Sequence, residues 1–291
     1  MNNKTIAITG ASGFIGSHLK EYFLNQGFNI KCLQRSKLTK QESRVTLIKY
    51  DLRLPLQTND FLKVDTLIHC AFIPYSTKNK DADENNAKGT ERLIKMCRTH
   101  NIKIIFLSSF SAHSGAQSHY GKNKLALENM LDEKRDLILK LGLVIGKGGV
   151  FQKIRTLLNE NYIIPLIDNG KQLVQTIGIF DLLEIFDAAI SKGIIGTYSI
   201  GEESSTSLKN IFIISRNKER KNLFLPISSM LVLEILKITE RIGIFLPFSS
   251  ENILGLKHAK FHNTVDDLKT FGVIIRPIEY IITNTKYERP D

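Results

Sequence analysis

The residues Thr9-Gly10-Ala11-Ser12-Gly13-Phe14-Ile15-Gly16 constrain this chain more than any others, because they follow the apolar run Thr5-Ile6-Ala7-Ile8 and lead straight into Ser17-His18-Leu19-Lys20-Glu21-Tyr22-Phe23-Leu24. The order is strand, glycine turn, amphipathic helix. Glycine lets the backbone turn tightly and approach a pyrophosphate, whose charge is met by unpaired N–H groups and the positive end of the helix dipole. Three glycines in a loop are a weak signal alone. Placed directly after a strand and at the opening of a helix, they read as a nucleotide-cofactor site.

Beyond that turn, short apolar runs alternate with helical patterns. Strands are expected over 5–9, 29–33, 45–50, 66–70, 102–107 and 137–141, and helices over 13–25, 83–100 and 120–133. This alternation predicts an α/β fold, a doubly wound parallel sheet of Rossmann type covered on both faces, with ligands beyond the carboxyl ends of the strands. After Gly146-Lys147-Gly148-Gly149 the alternation becomes irregular, with helical patterns over 150–159 and 180–191. Residues 1–149 are therefore assigned to the cofactor-binding domain and 150–291 mainly to a smaller C-terminal substrate-binding lobe. Segments near 172–201, Thr197-Tyr198-Ser199-Ile200-Gly201 among them, are expected to return to the main domain.

Bulk properties exclude little. The 291 residues carry a formal net charge of +11, but Lys and Arg are spread along the chain with no dense basic block, so a solvated surface is favoured over nucleic-acid binding. Cys32 and Cys70 fall in apolar strands and Cys97 in a helix, without metal-type spacing; they read as buried reduced thiols, and no metal is expected. No secretory signal core is visible at the N-terminus, which points to a cytoplasmic location. The longest apolar region, 223–248, is interrupted by Pro226, Glu234, Lys237, Glu240 and Arg241, so no transmembrane segment is expected. Its residues Leu231, Leu233, Ile235, Leu236, Ile238 and Ile242 recur at helical spacing. A core-facing or homodimer-facing helix is the first reading and a membrane-surface helix the second.

Two further motifs carry chemistry. Tyr120-Gly121-Lys122-Asn123-Lys124 opens a helical segment and stacks Tyr120 and Lys124 on one face. A phenol titrates near 10, so an adjacent ammonium that stabilises the phenolate helps it act as an acid/base. Ile104-Ile105-Phe106-Leu107-Ser108-Ser109 is a strand ending in two hydroxyls, where a hydroxyl can donate to a substrate carbonyl oxygen.

Together these residues resemble the extended branch of the short-chain dehydrogenase/reductase superfamily, the NAD(P)-dependent nucleotide-sugar epimerases, dehydratases and 4-keto reductases. The resemblance covers about the first two thirds of the chain. It includes Asp51-Leu52, which in the family flank the adenine, Ile68-His69-Cys70-Ala71 beside the cofactor, and Asn86-Ala87-Lys88-Gly89-Thr90. It implies that Tyr120 is the acid/base, that Lys124 holds the nicotinamide ribose and lowers the tyrosine pKa, and that Ser109 polarises the reacting C–O bond. Cofactor contacts are implied for Gly10, Ser12, Gly13, Phe14, Ile15, Gly16, Asp51, Leu52, Cys70, Ala71 and Asn86, beside Tyr120 and Lys124. An extra residue before Ser114-Gly115 leaves Ser111 a rival for the Ser109 role. Lys140-Leu141-Gly142 stands where the family has Arg-Pro-Gly.

The second strand ends in Cys32-Leu33-Gln34-Arg35-Ser36-Lys37, without a carboxylate for a ribose diol. Arg35, Ser36 and Lys37 suit a 2′-phosphate, so NADP(H) is favoured over NAD(H). Dehydratases of the branch carry Asp-Glu after the catalytic hydroxyl, whereas Phe110-Ser111 follows Ser109 here. The resemblance therefore leaves 4-keto reduction of a nucleotide sugar slightly ahead of 4-epimerisation with tightly bound NAD. A non-catalytic cofactor-binding accessory protein is the alternative of another class. Asn252-Ile253-Leu254-Gly255-Leu256 is similar to the sugar-binding lobe of enzymes of bacterial envelope-polysaccharide biosynthesis. His113 and His119 read as turn or solvent residues.

Overall fold

The computed structural model describes residues 4–35, 43–76, 78–217, 219, 221–244, 246 and 248–283. Its first half runs β1 (Thr5–Thr9), α1 (Phe14–Asn25), β2 (Asn29–Gln34), β3 (Val45–Lys49), β4 (Thr66–His69), α2 (Ala82–Thr99), β5 (Lys103–Ser109), α3 (His119–Glu128) and β6 (Leu137–Leu141). There follow β7 (Leu143–Ile145), α4 (Gly149–Glu160), β8 (Ile163–Ile167), β9 (Leu173–Val174), β10 (Thr176–Gly178), α5 (Ile179–Ser191) and β11 (Gly196–Ile200). The last part holds β12 (Thr206–Ser207), α6 (Leu208–Ser215), β13 (Leu223–Ile227), α7 (Ser229–Arg241), α8 (Ser250–Lys257), α9 (Val265–Phe271) and α10 (Ile278–Thr283).

Seven strands form one parallel sheet in the order β11-β6-β5-β4-β1-β2-β3. Successive strands step one way from β1 to β3 and the other way from β4, which opens a crevice beyond the carboxyl ends of β1 and β4. Burial on both faces is why these strands read as continuous apolar runs; every residue of β1 is buried. Side chains alternate across the sheet. Ile6 and Ile8 thus join Leu19 and Phe23 of α1 in one core, while Ala7 joins Leu93 and Cys97 of α2 in the other. β11 pairs with β6 at the far edge, with Ile200 opposite Leu141.

The remaining strands form three two-stranded sheets, β7 with β10, β8 with β13 and β9 with β12. Two carboxylate contacts tie the late segments to the main sheet layer: Asp181 Oδ2 accepts from Arg276 N at 2.9 Å, and Asp267 Oδ2 accepts from Ser199 N at 2.7 Å.

Two expectations need correction. The helix read over 120–133 stops at Glu128. Asp136 Oδ2 accepts from Asp132 N at 3.1 Å and Asp132 Oδ1 from Lys134 N at 3.0 Å, and carboxylates that bond nearby amides compete with a helix. The apolar region 223–248 divides into β13 and α7, separated by Ser228, whose side chain accepts from Met230 N at 3.3 Å and caps α7. Only one side of α7 is core-facing, through Leu233 and Leu236. Among the described residues no helix is long and apolar enough to cross a membrane.

Candidate active site

The chain leaves β1 at Gly10, whose φ of 65° lies in the left-handed region. A Cβ on Gly10 would come within 3.0 Å of Ala71 N, one on Gly13 within 3.1 Å of Gly10 O, and one on Gly16 would run into that same carbonyl. Backbones here approach more closely than side chains allow. Helix α1 starts immediately after Gly13 with no side-chain cap and no acidic residue in its first turn, so its leading N–H groups and dipole are suited to an anion. The cradle fits a dinucleotide pyrophosphate. Ser12 and Gly13 are exposed at its tip, and Ile15 is half-buried behind it. Phe14 packs against the chain leaving β7, where a Cβ on Gly148 would enter its ring.

Across the crevice, Thr9 and the end of β4 share a buried network. His69 Nδ1 lies 2.7 Å from Thr9 Oγ1 and its Nε2 3.1 Å from Thr90 Oγ1, while Ala71 N donates to Thr9 Oγ1 at 3.1 Å. Burial, with the Lys124 charge, pushes His69 down to about 3, so the ring is neutral. The arrangement that satisfies all these groups has Thr9 donating to Nδ1 and Nε2–H donating to Thr90. Cys70 follows, its thiol pushed up to about 12 by burial, which keeps it an unreactive neighbour of Lys124.

The structure brings Ser109, Tyr120 and Lys124 together. Ser109 ends β5, and Tyr120 and Lys124 lie on α3, whose N-cap Ser118 accepts from Gly121 N at 3.1 Å. Gly121 has no room for a side chain because the Ser111 carbonyl lies where its Cβ would be, and this contact draws the start of α3 against the loop after β5. Tyr120 keeps 36% of its surface exposed, yet its hydroxyl lies deep enough that burial raises the phenol pKa; the hydrogen bond with Ser109 opposes that rise. Its ring meets the edge of Phe72 at a centroid distance of 5.2 Å. Lys124 is buried, donates to Leu107 O at 2.6 Å, and lies 4.8 Å from the Phe72 ring and 4.6 Å from the Phe106 ring. Burial pushes its ammonium down to about 8, against the opposing influence of Cys70 and Glu128. Ser111 is placed differently: its N–H donates to Ser109 Oγ at 3.2 Å, and its own hydroxyl is toward Gly255 of α8.

Behind Lys124 lies a cluster that the sequence reading missed. The Glu128 carboxylate accepts from Ser108 Oγ, and Lys140 Nζ lies 2.8 Å from Glu128 Oε2 while donating to Ala112 O at 2.6 Å. Glu128 is 9% exposed, so α3 is joined to β5, β6 and the loop beyond Ser109 by a buried ion pair. From the second lobe, Glu251 Oε2 accepts from Tyr120 N at 3.2 Å and His258 O lies 2.9 Å from His113 Nε2, laying α8 across this loop.

The other expected residues are placed as follows. Asn86 is buried and holds both polar groups of Ile73, Oδ1 accepting from its N–H and Nδ2 donating to its carbonyl, each at 2.9 Å. It fixes the segment after Cys70-Ala71. Leu52 is buried beneath Gly89, and Asp51 Oδ1 accepts from Arg53 N at 2.9 Å. Arg35 is exposed at the end of β2, and Ser36 and Lys37 lie outside the described residues. His119 stacks on Tyr75 at 3.8 Å and pairs with Asp83 at 2.9 Å.

A family model described as the NAD dependent epimerase/dehydratase family matches residues 6–201. The chain is 31% identical over 150 residues to the UDP-glucose 4-epimerase of Halalkalibacterium halodurans, covering 43% of this chain and 44% of that protein. It is 26% identical over 143 residues to the bifunctional protein GAL10 of Candida maltosa, covering 43% of this chain and 94% of that protein. It thus spans less than half of the Halalkalibacterium enzyme. Among solved structures it is similar to MoeE5 in complex with UDP-glucuronic acid and NAD, with TM-score 0.66, 21% identity and coverage of 92% of this chain and 98% of that one. It is also similar to TunA, an NAD-dependent NDP-hexosamine 5,6-dehydratase, with TM-score 0.75, 15% identity and coverage of 98% of both chains. The family match runs from within β1 to just beyond β11 and contains the glycine cradle, Ser109, Tyr120 and Lys124. The chain belongs to the NAD-dependent epimerase/dehydratase family.

Proposed function

We propose that the protein is an NAD(P)-dependent oxidoreductase that reduces a 4-keto nucleotide sugar, with residues 1–149 binding the cofactor and 150–291 supplying mainly the substrate lobe. The observation that carries this reading is the Ser109–Tyr120 pair at the carboxyl end of β5, with Lys124 one helical turn behind and the glycine cradle beside it. A nicotinamide cofactor supplies the hydride. Tyr120 gives its proton to the carbonyl oxygen, and the Ser109 hydroxyl donates a hydrogen bond to the same oxygen. The Lys124 ammonium stabilises the phenolate left behind. Burial raises the Tyr120 pKa, the reverse of the lowering expected from Lys124, and the hydrogen bond with Ser109 opposes that rise. Dehydration is disfavoured because Phe110, where the resemblance implies a dehydratase's acid, is buried and stacked on His262 at 4.2 Å.

For the cofactor, we favour NADP(H) over NAD(H). No carboxylate ends β2, and Arg35 is exposed there for a 2′-phosphate. The second reading, 4-epimerisation with tightly held NAD, is favoured by the likeness to the Halalkalibacterium UDP-glucose 4-epimerase. A cytoplasmic location accompanies either reading.

Incubating keto and hydroxy nucleotide sugars with NADPH or NAD separates them. Net NADPH consumption means reduction, and isomerisation without net oxidation means epimerisation. Tyr120→Phe should lower turnover by about 10²–10⁴-fold while dinucleotide binding survives; unchanged turnover would overturn the role of Tyr120, and no turnover of any of these sugars by the wild type would favour an accessory role. Arg35→Ala should weaken NADPH by about tenfold or more and leave NADH unaffected. Tighter NAD binding that ignores Arg35→Ala would overturn the cofactor preference.

A further inference from the structure

Helix α3 does not complete its own start. Ser118 Oγ accepts from Gly121 N and the Ser118 carbonyl from Lys122 N, each at 3.1 Å, but no acidic residue stands in the first turn to offset the positive end of the helix dipole. Among the described residues the acceptor that meets the Tyr120 N–H comes from the second lobe. It is Glu251, whose Oε2 accepts from Tyr120 N at 3.2 Å, so that a carboxylate 131 residues further along the chain holds the backbone of the acid/base residue. Glu251 is fixed from both sides. The Glu240 carboxylate accepts from Ser250 N at 2.7 Å and from Ser250 Oγ at 2.8 Å, and Ser249 and Asn252 close a capping box around the start of α8.

Glu251, Gly255 and His258 follow at intervals of four and three residues and so share one face of α8. That face is seated on the segment between β5 and α3. A Cβ on Gly255 would lie 3.7 Å from Ser111 Oγ and 3.9 Å from Ser118 Oγ, and the His258 carbonyl lies 2.9 Å from His113 Nε2. Elsewhere on α8, Ile253 packs with Leu233 and Leu236 of α7, so the helix is a bracket between the second lobe and the catalytic helix. An acid in the first turn of α8 also suits the dipole of α8 itself, but an aspartate would serve that purpose equally. Reaching Tyr120 N takes the longer side chain. We propose that Glu251 is a positioning residue, whose carboxylate fixes the start of α3 and with it the Tyr120 hydroxyl beside Ser109, tying the acid/base to the substrate lobe. This rests on the role given to Tyr120 above.

The test compares Glu251→Ala, Glu251→Asp and Glu251→Gln in the full chain. Steady-state kinetics on a nucleotide sugar that the wild type turns over should show kcat lowered by about ten- to a hundredfold in Glu251→Ala and Glu251→Asp. The KM for the dinucleotide should stay as in the wild type, because Lys124 is held separately by Leu107 O. Glu251→Gln, whose side-chain oxygen reaches as far, should recover most of the loss. Hydrogen exchange read by mass spectrometry needs no turnover: the amides of residues 119–124 should exchange about fivefold faster or more in the Ala and Asp variants and as in the wild type in the Gln variant. An unchanged kcat in Glu251→Ala, an Asp variant as active as the Gln variant, a dinucleotide KM that rises in step with the fall in kcat, or exchange indifferent to all three changes would each overturn the proposal. A wild type that turns over no nucleotide sugar, while exchange follows the bond, would uphold the bracket and overturn the reaction proposed above.

Discussion

Two buried polar clusters stand at the carboxyl ends of the sheet, one neutral and one ionic. Thr9, His69 and Thr90 join β1, β4 and α2 beside the glycine cradle without any net charge, because burial keeps the His69 ring unprotonated. Ser108, Glu128 and Lys140 join β5, α3 and β6 beneath the tyrosine and lysine through a buried ion pair. The neutral cluster holds backbone in place where an anionic ligand must approach it closely, and adds no field of its own. The ionic cluster anchors the helix that carries Tyr120 and Lys124, and sets a carboxylate one turn from an ammonium that burial has already weakened. A buried ion pair contributes little net stability, but losing one partner is costly. The two clusters should therefore fail differently.

The largest difference is expected in acid. As pH falls below about 6.5 the unfolded state takes up a proton at His69 that the folded state refuses until about 3, so stability drops across that window and the loss reaches roughly 5 kcal/mol at its end. Thermal unfolding of His69→Asn should show a flatter dependence over the same range; parallel curves would mean that the ring is not held neutral. Next, Glu128→Ala should destabilise by about 3–5 kcal/mol by stranding Lys140, and Glu128→Leu with Lys140→Met should regain most of it. If chemical denaturation finds the single variant no worse than the double, the ionic cluster is not the anchor described. Thr90→Val removes one hydrogen-bonding partner from the neutral cluster and should cost about 1–3 kcal/mol, less than Glu128→Ala. The smallest effect concerns Lys124. Its charge is lost as pH rises through about 8, so turnover that depends on the ammonium declines there. Glu128→Gln removes a raising influence and should move that alkaline limb to lower pH by less than about one unit, measured as the pH profile of turnover.

Several of these parts were legible in the sequence for local reasons. The glycine turn is visible because its conformation depends on three residue types at fixed intervals, and the Tyr120–Lys124 pair because four residues bring side chains onto one helix face. The six strands of the first half were visible as apolar runs. Glu128 bears the same four-residue relation to Lys124, but an acid on a helix is ordinarily solvated and gave no cause for attention. Lys140 offered a better clue: a lysine between Leu139 and Leu141 in a buried strand must find an acceptor. Phe72 and Glu251 gave none, since one is an aromatic in an irregular segment and the other arrives from 131 residues away.

What the sequence determined by itself was therefore the repeating local grammar, an α/β sheet with a phosphate-type turn at its first crossing and a phenol and an amine on one helix face. Period, turn chemistry and helical spacing act over a few residues and are written in order along the chain. Only the tertiary structure decided that Ser109 rather than Ser111 meets the tyrosine hydroxyl, that Lys140 neutralises Glu128, and which side of α7 is left bare. Those outcomes depend on which distant surfaces exclude water from one another, and burial is a property of the packed molecule rather than of any stretch of it.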